Sequence, residues 1–202
     1  MVEWLINKSE KISGCIVGEP TNVNQMGDTI KIGRRGSFTG SLTVKGIQGH
    51  VGYPDLAENP INSLLKMLEP FSKIYLDKGT NEFQPSSVMV TTIDVNNDAS
   101  NVIPGEVKAK FNIRFNTLHS VASLQSMLKN QFDAITKNYE FNYFCNAEPF
   151  LTSDEKIKST LQNAITEVVN VNSEKSTTGG TSDARFITKL CPVIEFGLVG
   201  KT

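Results

Sequence analysis

Over residues 37–45 the chain alternates. Phe38, Leu42 and Val44 fall on one side, and Ser37, Thr39, Ser41, Thr43 and Lys45 on the other. A period of two marks a strand buried on one face. The pattern returns over 106–116, where Val107, Ala109, Phe111, Ile113 and Phe115 point inward. Residues 87–95 and 139–145 read as two further strands, and 96–105 as a polar loop. Between the strands the period lengthens. Asn59 is an N-cap ahead of Pro60 at the first helical position. Ile61, Leu64, Leu65 and Leu68 follow at helical spacing until Pro70 interrupts them. Ser120 caps a second helix that carries Val121, Leu124, Leu128, Phe132 and Ile135. The order over about 37–147 is β-α-β-β-α-β, a ferredoxin-like unit.

The flanking segments read differently. An amphipathic helix end opens the chain, and strands are predicted at 13–17, about 29–32 and 192–197. Residues 154–171 form a helix with Ile157, Leu161, Ile165 and Val168 on its apolar stripe. These are pieces of an α/β domain. The predicted organisation is a partial α/β domain in two parts, 1–36 and 149–202, interrupted by a module at 37–148 with a core of its own.

Composition narrows the function. A formal charge of −1 over 202 residues gives no reason to expect nucleic acid or an anionic membrane as partner. No run of about 18 apolar residues is present to span a bilayer, and the N-terminus does not read as a signal peptide. Cys15, Cys145 and Cys191 are odd in number and far apart, which predicts buried free thiols in a reducing cytosol and not a metal site. Arg34, Arg35, Arg114 and Arg185 are the only arginines among 20 basic residues. Where lysine is the default, a retained arginine suggests that its planar fork is needed.

Residues 176–186, Ser-Thr-Thr-Gly-Gly-Thr-Ser-Asp-Ala-Arg-Phe, concentrate the chemistry. Two adjacent glycines let the backbone approach a ligand, and hydroxyls and a guanidinium surround them. This suits the grip of a carboxylate. Glu19 follows a hydrophobic strand and precedes Pro20; from the residues alone it is an exposed turn carboxylate, a metal ligand or an acid–base group. His50, between Gly49 and Gly52, is a surface loop histidine, a donor to a developing oxyanion or a metal ligand. His119 lies in no motif and reads as a surface residue. Asp183 reads as a group that caps or orients the glycine loop.

Taken together, Gly18-Glu19-Pro20-Thr21, Gly33-Arg34-Arg35-Gly36-Ser37, Gln48-Gly49-His50-Val51-Gly52-Tyr53-Pro54, Asn101-Val102-Ile103-Pro104-Gly105 and the glycine loop resemble the dinuclear zinc amidohydrolase and peptidase family, in that family's order and over nearly the whole chain. The paired arginine and the Thr-Thr-Gly-Gly-Thr-Ser-Asp loop are narrower and resemble its desuccinylase branch. The resemblance implies an α/β zinc-binding domain interrupted by a dimerisation module. It implies hydrolysis of N-succinyl-diaminopimelate in bacterial lysine and cell-wall precursor synthesis, in the cytoplasm, by a homodimer. Glu19 matches a zinc ligand. His50 matches a histidine that reaches across the dimer to stabilise the tetrahedral intermediate. Arg34, Tyr53, Asn101, Arg114, Gly180 and Thr181 are the implied substrate-binding residues. Arg35 and Arg185 could equally be structural ion-pair partners. The family's two zinc ions (cobalt is an alternative) need further ligands and a glutamate base. The resemblance implies that these lie before Met1 and after Thr202, so the isolated chain is expected to be inactive. Two other readings remain open: a sister deacylase such as acetylornithine deacetylase, and a non-enzymatic dimerisation fragment.

Overall fold

The computed structural model describes residues 1–200. In chain order its elements are α1 (Val2–Asn7), β1 (Cys15–Val17), β2 (Thr29–Lys31), β3 (Gly33–Arg34), β4 (Gly36–Lys45), β5 (Gly49–His50), α2 (Pro60–Leu68), β6 (Ser87–Asp94), β7 (Val102–Ile103), β8 (Glu106–Phe115), α3 (Val121–Asp133), β9 (Tyr139–Ala147), β10 (Phe150–Leu151), α4 (Glu155–Val169), β11 (Glu174–Ser176), α5 (Ala184–Ile187) and β12 (Val193–Glu195). They group into two units. One comprises residues 37–78 and 85–146, the other 1–36, 79–84 and 147–202.

The 37–146 unit holds a four-stranded sheet in the order β6-β8-β4-β9. Alternation along β4 and β8 puts Phe38, Leu42, Val44, Val107, Ala109, Phe111, Ile113 and Phe115 on one face, all of them buried. Leu64, Met67 and Leu68 of α2 and Leu124, Leu128 and Phe132 of α3 complete that core. Each Val, Leu, Ile, Phe or Met side chain buried there contributes about 1.5–3 kcal/mol of transfer free energy. Local chemistry sets the helix ends. The Asn59 side chain accepts from Ile61 N at 3.0 Å, and Ser120 and Ser123 form a reciprocal capping box. After Leu68 the helix passes into a 3-10 turn that contains Pro70, as the proline requires.

The other unit holds a mixed sheet in the order β1-β12-β2-β11. β1 and β12 are parallel, β11 and β2 are parallel, and β12 meets β2 antiparallel. β12 is buried along its length. Its successive residues face opposite ways. Ile194 packs with Ile30, Ile32, Leu161 and Ile165, and Val193 packs with Phe150 and Ala184. Asp154 caps α4 by accepting from Ile157 N at 2.9 Å. The helix stops at Asn170, whose φ of 53° is a left-handed cap.

Several expectations are corrected. Val168, near the C-terminal end of α4, is 82 % exposed and lies outside the core that Leu161 and Ile165 enter. The supposed loop over 96–105 contains β7, which pairs with β5. Gly33 and Arg34 form β3, paired with β10. α1 buries none of its residues. The three cysteines are free of disulfides, but only Cys191 is buried; Cys15 and Cys145 are half-buried.

Candidate functional site

The glycine loop follows β11. Its first half rests on Lys31, a buried lysine on β2 whose Nζ donates to Ser176 Oγ at 3.0 Å and to Thr178 Oγ1 at 2.7 Å. Burial, and then the nearby Arg34 charge, lower the Lys31 pKa; Glu174, Glu195 and Asp28 work against that shift. Arg34 is also buried. Its Nε donates to Glu195 Oε2 at 2.8 Å, Nη2 donates to the same oxygen, and Nη1 donates to the Thr178 carbonyl at 3.0 Å. The expected substrate ligand Arg34 thus has protein acceptors on all three of its nitrogens. Ser182 Oγ donates to the other oxygen of Glu195. The Thr177 hydroxyl donates to the Glu82 carbonyl.

Between these attachments the loop is open. Gly179 has φ +101°, and a Cβ there would overlap the Arg34 guanidinium, so this position requires glycine. A Cβ on Gly180 would meet nothing within 4 Å. Gly180 and Thr181, both implied in substrate binding, therefore form the accessible crown. Asp183 stands at the N-cap position of α5, but its side chain makes no capping bond. The Arg185 guanidinium stacks over the Phe186 ring at 4.5 Å.

In the 37–146 unit the β5–β7 ribbon draws three of the candidate residues together. His50 stands opposite Val102, next to Asn101 in sequence. Val51 N donates to the Asn101 carbonyl at 3.0 Å, and Tyr53 N donates to the His50 carbonyl at 2.9 Å. The His50 and Tyr53 rings lie 5.7 Å apart between centroids, and both side chains are exposed. Gly52 N donates to His50 Nδ1 at 3.0 Å. An acceptor at Nδ1 places the proton of the neutral ring on Nε2, leaving Nε2–H as an outward donor. Arg114 stands apart from this cluster, on the half-buried side of β8 opposite Ser87.

Glu19 is half-buried just beyond the end of β1, and Gly197 packs closely on its backbone. Among the described residues no group of three or more His, Cys, Asp or Glu is gathered as a metal ion would need. Glu19 thus stands as a single candidate ligand, and a two-metal centre does not fit the described residues by themselves. His119 is a correction to the sequence reading: it is no surface residue, since Nε2 lies 3.2 Å from Asp77 Oδ2 with both side chains largely buried.

Sequence reasoning passed over Lys31 and Glu195. Each was a charge inside an apolar strand, and that mismatch was the available signal.

With this geometry in view, the chain compares clearly with known proteins. Residues 32–140 match the peptidase dimerisation domain of the M20 class, and the chain belongs to that family. Across its full length it is 50 % identical, over 206 residues, to a succinyl-diaminopimelate desuccinylase of Pelagibacter ubique, of which it covers 54 %. It is 49 % identical to one of Parvibaculum lavamentivorans, covering 52 % of that protein. The chain spans about half the length of the curated relatives it matches. The fold is shared with an aminopeptidase PepT from Bacillus cereus (TM-score 0.75, 14 % identity, 97 % of this chain and 52 % of that one). It is also shared with a tripeptidase from Staphylococcus aureus (TM-score 0.73, 15 % identity, 100 % and 52 %). The fold is therefore the mixed α/β fold of these peptidases with its dimerisation module. Among the described residues no helix is long and apolar enough to cross a membrane.

Proposed function

We propose that this chain forms the substrate-gripping loop and the self-associating module of a zinc-dependent succinyl-diaminopimelate desuccinylase, acting in the cytoplasm in the lysine and diaminopimelate pathway. The reaction adds water across the amide of N-succinyl-LL-2,6-diaminopimelate. The carbonyl carbon gains the hydroxyl, the nitrogen gains a proton and leaves, and succinate and the free amine result. The described residues do not make up a metal centre, so activation of the water is not assigned to them. Their part is to hold the substrate's carboxylates and to stabilise the oxyanion formed when water adds. Glu19 would contribute one ligand to the metal site.

The observation that carries this reading is the hydrogen bond that His50 Nδ1 accepts from Gly52 N. With Gly52 N–H on Nδ1, the outward Nε2–H is a ready donor for an oxyanion. Gly180 and Thr181 on the glycine loop would hold a carboxylate of the substrate, and Tyr53, Asn101 and Arg114 are proposed as further substrate-binding residues. Homodimerisation through β6 would carry His50 to the neighbouring active site. That strand ends the sheet and exposes Met89, Val90 and Ile93, the kind of edge that pairs with a second copy.

The test is a chimaera in which this chain replaces the aligned 206 residues of the Pelagibacter ubique relative. With zinc it should hydrolyse N-succinyl-diaminopimelate in preference to N-acetylornithine. His50→Ala should lower kcat by about 10²–10³, the usual cost of one oxyanion donor, with little change in KM. A folded chimaera that prefers the acetyl substrate, or an unchanged kcat in H50A, would refute the assignment.

A further inference from the structure

We infer that Glu195 is the positioning residue of the glycine loop, fixing Gly179, Gly180 and Thr181 from both sides through Arg34 and Ser182. The inference rests on the desuccinylase reading for its consequence in catalysis, but not for its geometry.

Glu195 is fully buried on β12, between β1 and β2. Both of its oxygens are used. Oε2 takes Nε and Nη2 of Arg34, and Oε1 takes the Ser182 hydroxyl. Arg34 in turn holds the Thr178 carbonyl. The two ends of this chain of bonds, Thr178 and Ser182, flank Gly179 and the crown of Gly180 and Thr181. One carboxylate on a rigid central strand thus sets the span of the loop.

Two physical arguments favour this role over a purely structural one. First, a buried ion pair is a poor device for stability, since apolar residues of similar volume generally do as well or better. An apolar residue at 195 could fill the same space on β12, but it could hold neither the Ser182 hydroxyl nor the Arg34 guanidinium that donates to the Thr178 carbonyl. Second, adjacent glycines have the largest conformational freedom to lose on folding. Gly179 is held at φ +101° directly against the Arg34 guanidinium, and the crown has little packing of its own, because Gly180 faces open space. Its order must come from outside the loop, and the Glu195 network is attached at both ends.

The experiment measures backbone ¹⁵N order parameters of Gly179–Thr181 in the 202-residue chain, in Glu195→Gln and in Ser182→Ala. The wild type should be near the rigid value of about 0.85, and both variants should fall toward or below about 0.6. Ser182→Ala removes one attachment without leaving a buried charge unpaired, so it decides the matter if Glu195→Gln does not fold. In the active chimaera, Ser182→Ala should raise KM for N-succinyl-diaminopimelate about tenfold, a loss of about 1.4 kcal/mol in substrate binding, with kcat nearly unchanged. Unchanged order parameters in a folded variant would overturn the positioning role. So would a lower melting temperature with KM unaffected, which is the signature of a structural pair only. An inactive wild-type chimaera would instead count against the desuccinylase reading, while the order parameters would still decide what Glu195 does to the loop.

Discussion

Gly40 and Phe111 offer a case in which two opposing effects can be weighed from the structure. Gly40 lies in the middle of β4, a strand interior where glycine is normally a liability. Replacing such a glycine by alanine would ordinarily stabilise the protein by about 0.4–1 kcal/mol. Here a Cβ would come closer than 3.0 Å to three carbons of the Phe111 ring. That ring has nowhere to go. It is fully buried, with the Phe71 ring 5.0 Å away, Phe141 stacked at 6.2 Å and Phe132 edge-on at 6.5 Å between centroids. Overpacking of this kind costs about 1–3 kcal/mol. Gly40→Ala is therefore expected to destabilise the 37–146 unit by a net ~1–2 kcal/mol, or roughly 4–12 °C in melting temperature for a unit of this size. The four tyrosines, Tyr53, Tyr75, Tyr139 and Tyr143, all lie in this unit, while the single tryptophan, Trp4, lies in the other. Tyrosine near-ultraviolet circular dichroism thus reads its unfolding selectively. Phe111→Leu in the Gly40→Ala background should relieve the clash, with a coupling of at least about 0.5 kcal/mol in the double-mutant cycle. A G40A protein as stable as the wild type, or additive effects in the cycle, would refute the reasoning.

Further expectations concern the other features. Burial pushes the Asp28 carboxyl up, but hydrogen bonds from the Gln25, Asn24 and Val23 N–H groups outweigh it and hold the pKa at about 2, below its ordinary 3.8. A depressed carboxylate stabilises the fold above its unfolded pKa and loses that contribution as pH falls through the folded one. Acid titration of stability from about pH 4 to pH 2 should therefore show a loss in the wild type that is reduced in Asp28→Ala; identical slopes would remove this role. On α4, Val168→Glu should change stability by no more than about 0.5 kcal/mol. Leu161→Ala, one turn into the buried stripe, should cost about 2–5 kcal/mol, and urea denaturation compares the two. Ile93→Lys on the exposed edge of β6 should halve the mass seen by light scattering while leaving the thermal melt of the monomer nearly unchanged; a mass identical to the wild type would exclude β6 as the self-association edge.

Much of this protein was determined by local sequence. The alternation over 37–45 and 106–116 left no other face to bury, and the residues it selects are the ones inside the core. The caps at Asn59 and Ser120 depend on contacts two or three residues away, so they too were legible. Glu19, His50 and the glycine loop stand out in the sequence as candidates because each joins a reactive or gripping side chain to a glycine or proline that shapes the backbone beside it.

Tertiary structure decided what depends on residues distant in sequence. Val168 satisfies the helical period as well as Leu161 does, and only tertiary packing decides that Leu161 is buried and Val168 is left in solvent. The ribbon that joins His50 to the segment after Asn101 is two residues long on each side, too short to show a period, and it sets the tautomer's surroundings through a pairing across more than fifty positions. The partners of Arg34 lie further still, 161 residues away at Glu195 and 144 away at Thr178. A guanidinium in a Gly-Arg-Arg-Gly segment reads equally well as a ligand for substrate or for a buried carboxylate. The choice between them belongs to the folding of β12 between β1 and β2, which brings a lone glutamate under both ends of the loop.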